Sequence, residues 1–143
     1  MTDWVYQAIV TKVYDGDTIT VDLDMGLRVW QKEIDVRLFG INAPELKGAT
    51  HDKGVLSRDA LRALLPLGSK VTVMSHAYEK YGRLLATVVT APDEDGASIE
   101  VNKWMVAHGF AVKYMETLGA QRTMAGPGGQ PVPYIDPQGN DLT

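Results

Sequence analysis

The sequence predicts a mainly β domain of the α+β class, a five-stranded Greek-key barrel of the OB type with two to three helices. Three observations lead there. Five stretches carry strand chemistry, a helical stretch falls between the third and fourth, and the composition suits a single core. The chain has 143 residues, 45% apolar and 22% charged. That is one domain of ordinary size, burying a little under about 70% of its unfolded surface.

Trp4 to Tyr14 is rich in β-branched and aromatic residues and runs into Asp15-Gly16, a strong turn signal. Asp17 to Asp24 alternates: Ile19, Val21 and Leu23 share one face, and Thr18, Thr20, Asp22 and Asp24 share the other. Asp22 and Asp24 therefore read as a solvated strand face. Asp17 has apolar parity but stands at the strand start, so its carboxylate faces the end of the core. Met25-Gly26 turns the chain. Leu27 to Trp30 and Glu33 to Ile41 read as the next strand or strands, with a break at Gln31-Lys32.

His51 to Leu65 has helical spacing, with Leu56, Ala60 and Leu64 on one face beside Leu61 and Ala63. Pro66 and Gly68 end it. Lys70 to Ser75 and Arg83 to Thr90 are the last two strands, followed by the charged loop Asp93 to Gly96. A short helix follows, with Asn102 as N-cap, Gly109 at C′, and Trp104, Met105 and Val106 toward the core. The tryptophans Trp4, Trp30 and Trp104 sit on apolar patterns and read as core. His51, His76 and His108 lack metal-ligand spacing and read as surface or helix-end residues. From Met124 the chain is broken by Gly126, Pro127, Gly128, Gly129, Pro131, Pro133, Pro137 and Gly139. The domain is therefore expected over 1–123, with an extended or disordered Pro/Gly-rich tail over 124–143.

Several function classes are excluded at once. Without cysteine there is no disulfide, thiol nucleophile or thiolate metal site. No apolar run nears the roughly 18 residues of a membrane helix. No basic n-region or apolar stretch marks a secretory leader, so a cytoplasmic location is expected. A net charge of −4 argues at first against nucleic acid as a partner. The deficit is local, however. Asp3, Asp15, Asp17, Asp22 and Asp24 face Lys12 alone in the first 24 residues, and the remainder balances.

Four segments can carry chemistry. Tyr14 to Thr18 can be a plain hairpin turn. Arg37 to Glu45 sets an arginine into an apolar strand on the face of Phe39 and Ile41, where burial demands a partner such as a neighbouring carboxylate. Pro44 forces Ala43 to be extended, placing Glu45 just past a stiff turn. Glu79 to Arg83 can be a solvated hairpin, and Lys113-Tyr114 a surface pair. Jointly they say more. Asp17, Asn42 and Glu45 offer oxygen ligands to a hard divalent cation. Two arginines suit phosphate oxygens, and a glutamate can activate water.

Asp15-Gly16-Asp17-Thr18, Arg37 to Glu45, and Lys80-Tyr81-Gly82-Arg83 resemble, in order and spacing, the motifs of the staphylococcal (thermonuclease) nuclease family. The likeness extends over about residues 6–114. It implies a calcium-dependent nuclease acting on DNA and RNA, cutting the bond to the 5′ oxygen and leaving 3′-phosphate ends. By the same resemblance Asp17 is a Ca2+ ligand. Asn42 stands where the staphylococcal enzyme has a second aspartate ligand, and Ala43 where a backbone carbonyl binds. Glu45 is the water-orienting or general-base residue, Arg37 and Arg83 hold the scissile phosphate, Lys80 and Tyr81 contact its neighbour, and Tyr114 lies near the base-stacking tyrosine. A monomer that does not engage membranes is expected.

The chain departs from the family at three places. Asn42 removes a negative charge from the metal site, which should lower calcium affinity. Met115 to Thr123 allows only a short helix in place of a long lysine-rich one. Leu46 to Lys53 carries only Lys47 and Lys53. The alternative function is a catalytically inactive OB module that binds nucleic acid or protein. Arg37, Glu45 and Arg83 are all present, which favours the enzyme. With few lysines about the site, weak non-specific DNA affinity and a shallow salt dependence are expected.

Overall fold

The computed structural model describes residues 4–79 and 82–114. The strands are β1 (Trp4–Asp15), β2 (Thr18–Asp24), β3 (Trp30–Leu38), β4 (Ile41–Asn42), β5 (Lys70–Tyr78), β6 (Leu84–Thr90) and β7 (Val112–Lys113). The helices are α1 (His51–Leu64), preceded by a 3-10 turn over Gly48–Thr50, and α2 (Val101–Ala107). The expected barrel is present. Five strands close in the order β1-β2-β3-β6-β5, with β1 pairing antiparallel to both β2 and β5. The β3–β6 seam is parallel and short, from Val36↔Leu84 to Leu38↔Ala86. Among the described residues no helix is long and apolar enough to cross a membrane.

Alternation fills the interior. Val10 and Val13 from β1, Ile19, Val21 and Leu23 from β2, Val36 and Leu38 from β3, Val71 and Val73 from β5, and Leu84, Ala86 and Val88 from β6 are buried together. Leu61 and Leu65 close the core from α1, and Val101 and Met105 close it from α2.

The structure corrects several local expectations. Leu27 to Val29 form a turn instead of a strand, with Leu27 and Arg28 at φ 53° and 66°. The break in the third strand is a bulge at Lys32-Glu33, not at Gln31-Lys32. Pairing slips between Leu23↔Gln31 and Val21↔Ile34, and Glu33 takes φ 59°. The extra residue lets Asp22 accept the Glu33 N–H at 3.0 Å and the Lys32 ammonium at 3.3 Å. Asp22 is thus engaged instead of merely solvated, and the backbone bond holds its carboxyl below the ordinary range. Thr20, expected on the solvated face, is buried and donates to Asp35 Oδ1 at 2.8 Å. The strand expected to end at Ile41 is cut at Gly40, whose φ of 79° reverses the chain. Ile41 and Asn42 then pair with Lys113 and Val112 in a small second sheet.

The helix faces also differ. The buried residues of α1 are Gly54, Ser57 and Leu61, whereas Leu56 and Ala63 are exposed. Leu61 is buried and Leu64 packs on the core as the spacing predicts, but Gly54 and Ser57 replace Leu56 on the buried face, because that end of α1 lies against the Glu45 peptide and Gly16, where small residues fit. In α2 the N-cap is Glu100, and Gly109 (φ 79°) follows the helix as expected. Asn102 instead reaches inward. It accepts the Val88 N–H at 3.0 Å and donates to the carbonyls of Phe39 and Ala86 at 2.9 and 3.1 Å. Trp104 packs on the core, but Trp4 and Trp30 are exposed. His51 and His108 lie at helix ends as expected. His76 does not: it is half-buried on β5, with Nε2 2.8 Å from Thr87 Oγ1 and its ring 4.6 Å from that of Phe39.

Candidate active site

The first turn and the end of β3 are joined by the barrel ladder. Thr18 pairs with Arg37, and the Leu38 N–H donates to the Asp17 carbonyl at 2.8 Å. This sets Asp17 and Arg37 side by side at the rim, both buried. Arg37 Nη1 lies 3.3 Å from Asp17 Oδ2 and also donates to the Leu38 carbonyl at 3.3 Å. The buried charge anticipated in β3 therefore has its carboxylate, and Arg37 Nη2 also donates to Asn42 Oδ1 at 3.3 Å.

The Gly40 reversal and Pro44 carry Asn42, Ala43 and Glu45 back over this pair. The Ala43 N–H donates to Asp17 Oδ2 at 2.8 Å, and the Thr18 hydroxyl donates to Oδ1 at 3.1 Å. Glu45 is exposed, and its carboxylate has no hydrogen-bond partner among the described residues. Its backbone is fixed from behind, since the Thr50 hydroxyl donates to the Glu45 carbonyl at 2.9 Å. Gly54 of α1 lies close under the same peptide: a Cβ there would fall 2.7 Å from the Glu45 carbonyl carbon. Gly16 is equally tight against Ser57 and Ala43. Arg83 enters from the β5–β6 turn, held by Glu79 Oε2 at 2.8 Å from Nε and 2.7 Å from Nη2.

Asp17, Arg37, Asn42, Ala43, Glu45 and Arg83 thus line one cavity of about 500 Å³, together with Lys12, Tyr14, Asp15, Thr18, Thr20 and Asp35. Asp35, at the cavity wall, belongs to none of the sequence motifs. Its signal was present, because it has the parity of Arg37 two residues on. Tyr114 lines a neighbouring cavity instead, and its ring centroid lies 5.9 Å from Arg37 Cζ. Lys80, Tyr81, the stretch Met115 to Thr123 and the tail over 124–143 lie outside the described residues.

The donors round Asp17 are all oxygens: the carboxylates of Asp15, Asp17 and Glu45, the Asn42 amide and the Ala43 carbonyl. Burial first, and the adjacent Asp17 charge second, push the Asp15 carboxyl up to about 6. Asp15 and Asp17 together carry more negative charge than the Arg37 guanidinium beside them offsets, and a set of oxygens such as this fits a hard divalent cation. Among the described residues no three Asp, Glu or His side chains form a metal cluster by themselves. A cation here would need amide, carbonyl or water oxygens as well.

Comparison with known proteins gives two matches. Residues 35–125 match the staphylococcal nuclease homologue family. That stretch includes Arg37 to Glu45, Arg83 and Tyr114, whereas Asp15 and Asp17 precede it. Endonuclease YhcR of Bacillus subtilis (strain 168) is 32% identical over 119 residues, which is 76% of this chain and 9% of that protein. The chain therefore spans less than a tenth of that relative's length.

Proposed function

The chain belongs to the staphylococcal nuclease homologue family, and from that membership we propose that it is a calcium-dependent nuclease hydrolysing DNA and RNA to 3′-phosphate products. One observation carries the reading: Asp17, Arg37, Asn42, Ala43, Glu45 and Arg83 line a single cavity. Asp17, the Asn42 amide and the Ala43 carbonyl are the groups that would hold calcium, with Asp15 close behind. Bound there, calcium supplies positive charge to the phosphate and to the attacking water.

The remaining roles belong to the chain. Glu45, exposed and without a side-chain partner, holds a water and takes its proton as the oxygen attacks phosphorus. Arg37 and Arg83 bind the non-bridging oxygens and stabilise the charge that accumulates in the five-coordinate transition state. The bond from phosphorus to the 5′ oxygen breaks, and the phosphate stays on the 3′ side. Arg83 also assists the departing 5′ oxygen, with Glu79 setting its guanidinium. Lys80 and Tyr81 contact the next phosphate, and Tyr114 contacts a base.

The test is cleavage of single-stranded DNA and of RNA with calcium and with EDTA, with end-group analysis of the products. Cleavage is expected only with calcium, and Glu45→Ala and Arg83→Ala should each lower kcat by about 10²–10⁴-fold. Undiminished cleavage in both variants overturns the assignment. Binding of the oligonucleotide without cleavage under any condition supports a non-catalytic OB module instead.

A further inference from the structure

Among the described residues, the end of the barrel formed by the start of β1, the β2–β3 turn and the β5–β6 end carries exposed apolar side chains. Leu27, at the tip of that turn, is 99% exposed, and Trp4 is 68% exposed. Met25, Val29 and Tyr78 are exposed as well. Beside the tip is a hole of about 200 Å³ whose apolar wall includes Trp4, Leu23, Met25 and Tyr78, with Gln31, Ser75 and His76 also lining it. Among the described residues, none that lines this hole also lines the catalytic cavity.

The turn is a defined one. The Gly26 N–H donates to Asp24 Oδ1 at 2.9 Å, the Met25 N–H to the Val29 carbonyl at 2.8 Å, and the Val29 N–H to the Gly26 carbonyl at 2.9 Å. Leu27 and Arg28 are held at φ 53° and 66°, a region that disfavours a leucine and suits glycine or asparagine. The fold gains nothing from this leucine, because it touches solvent on all sides.

We propose that this face is the interface of a homodimer, in which Leu27 of each copy fills the hole between Trp4, Met25 and Tyr78 of the other. A protruding side chain and a hole on one face are what a two-fold, self-complementary contact requires. The exposed parts of Leu27, Trp4, Met25, Val29 and Tyr78 amount to roughly 650 Å², within the about 600–1,000 Å² that each partner contributes to a stable interface. Asp24 and Arg28 flank the protruding leucine, so a two-fold copy meets both signs of charge instead of a row of like charges.

Association by strand addition is disfavoured. The sheet is closed, and the part of β3 beyond its β6 pairing carries the Lys32-Glu33 bulge. A polyanion is disfavoured too. Lys32 is paired with Asp22, and Asp24 and Glu33 stand nearby.

Sedimentation velocity of the full chain across a concentration series tests the proposal. A monomer–dimer equilibrium with a Kd of about micromolar or tighter is expected, since interfaces of this size range from micromolar to picomolar. Leu27→Gly suits the backbone conformation and removes the side chain, so it should be folded by near-UV circular dichroism and weaken dimerisation by at least about tenfold, whereas Leu27→Met should retain it. The chain has no cysteine, so mixing Leu27→Cys with Tyr78→Cys under oxidising conditions should give a cross-linked heterodimer. A wild type that remains monomeric at the highest concentration, or a Leu27→Gly chain that dimerises like wild type, overturns the proposal. So does a Leu27→Gly chain that loses affinity for a single-stranded oligonucleotide bound by monomeric wild type, which would mark the face as a nucleic-acid surface.

Discussion

Arg37 Nη1 stands 3.3 Å from Asp17 Oδ2, and both side chains are about nine-tenths buried. A guanidinium therefore sits against the carboxylate that is the leading candidate for holding a cation. Removing one member of such a pair leaves an uncompensated buried charge. Arg37→Met is expected to destabilise the protein by about 3 kcal/mol in EDTA. In saturating calcium the loss should shrink, because the cation supplies Asp17 with another counter-charge. Urea denaturation with and without calcium reads both quantities, and equal losses in the two conditions contradict calcium binding at Asp17.

Asn42 accepts a hydrogen bond from Arg37 Nη2 and contributes an uncharged oxygen to the cavity. Asparagine and aspartate have the same shape, so Asn42→Asp keeps the Arg37 contact and adds one negative charge beside Asp17. Calcium affinity rises with ligand charge in sites of this kind. The variant should bind calcium about tenfold more tightly by calorimetry. Equal affinities in the two proteins would show that the residue at 42 does not ligate.

The Asp15 carboxyl, pushed up to about 6 by burial and by Asp17, makes stability depend on pH. Below its ordinary value of 3.8 the group is protonated in both folded and unfolded chains and costs nothing. Across about pH 4 to 6 the unfolded chain ionises first, so folded stability falls as pH rises. Above about 6 the whole penalty is present. In EDTA the Tm of wild type should therefore fall across this window relative to Asp15→Asn, which retains the oxygen that accepts the Asp17 N–H at 3.0 Å. Calcium should remove the difference at pH 7. Parallel Tm profiles for the two proteins would refute the prediction.

What was legible in the sequence was local. Asp17, Arg37 and the stretch Asn42 to Glu45 stand within short motifs whose turns, Asp15-Gly16 and Ala43-Pro44, fix their own geometry, and Ile19, Val21 and Leu23 alternate as a half-buried strand must. Long-range packing was not legible. Asn102 reads as a cap by residue type, but it donates to the carbonyls of Phe39 and Ala86 beside the β3–β6 seam. Trp4 and Trp30 read as core by hydropathy, yet their strand ends pass beyond the barrel interior. Of the apolar stripe Leu56, Ala60 and Leu64, Leu64 packs on the core but Leu56 is exposed, because α1 turns Gly54 and Ser57 inward against the Glu45 peptide and Gly16.

Gly54 follows from that packing and tests it directly. Two effects oppose each other in Gly54→Ala. Alanine is favoured over glycine within a helix by about 1 kcal/mol. Against this, the new Cβ would fall 2.7 Å from the Glu45 carbonyl carbon and closer still to its oxygen. Neither atom can move as a side-chain tip can, since the peptide is tied to Thr50 and follows Pro44. Overpacking of this kind costs about 1–3 kcal/mol, so the clash should prevail with a net loss of about 1 kcal/mol in urea denaturation. The relief available is to push the Glu45 turn outward, and a displacement of about 1 Å at a catalytic group can lower kcat by about 10²-fold. Ala63→Gly, on the exposed face of the same helix, should lose the same helix propensity and leave kcat unchanged. A Gly54→Ala protein that is more stable than wild type and fully active would mean that α1 does not set the position of Glu45.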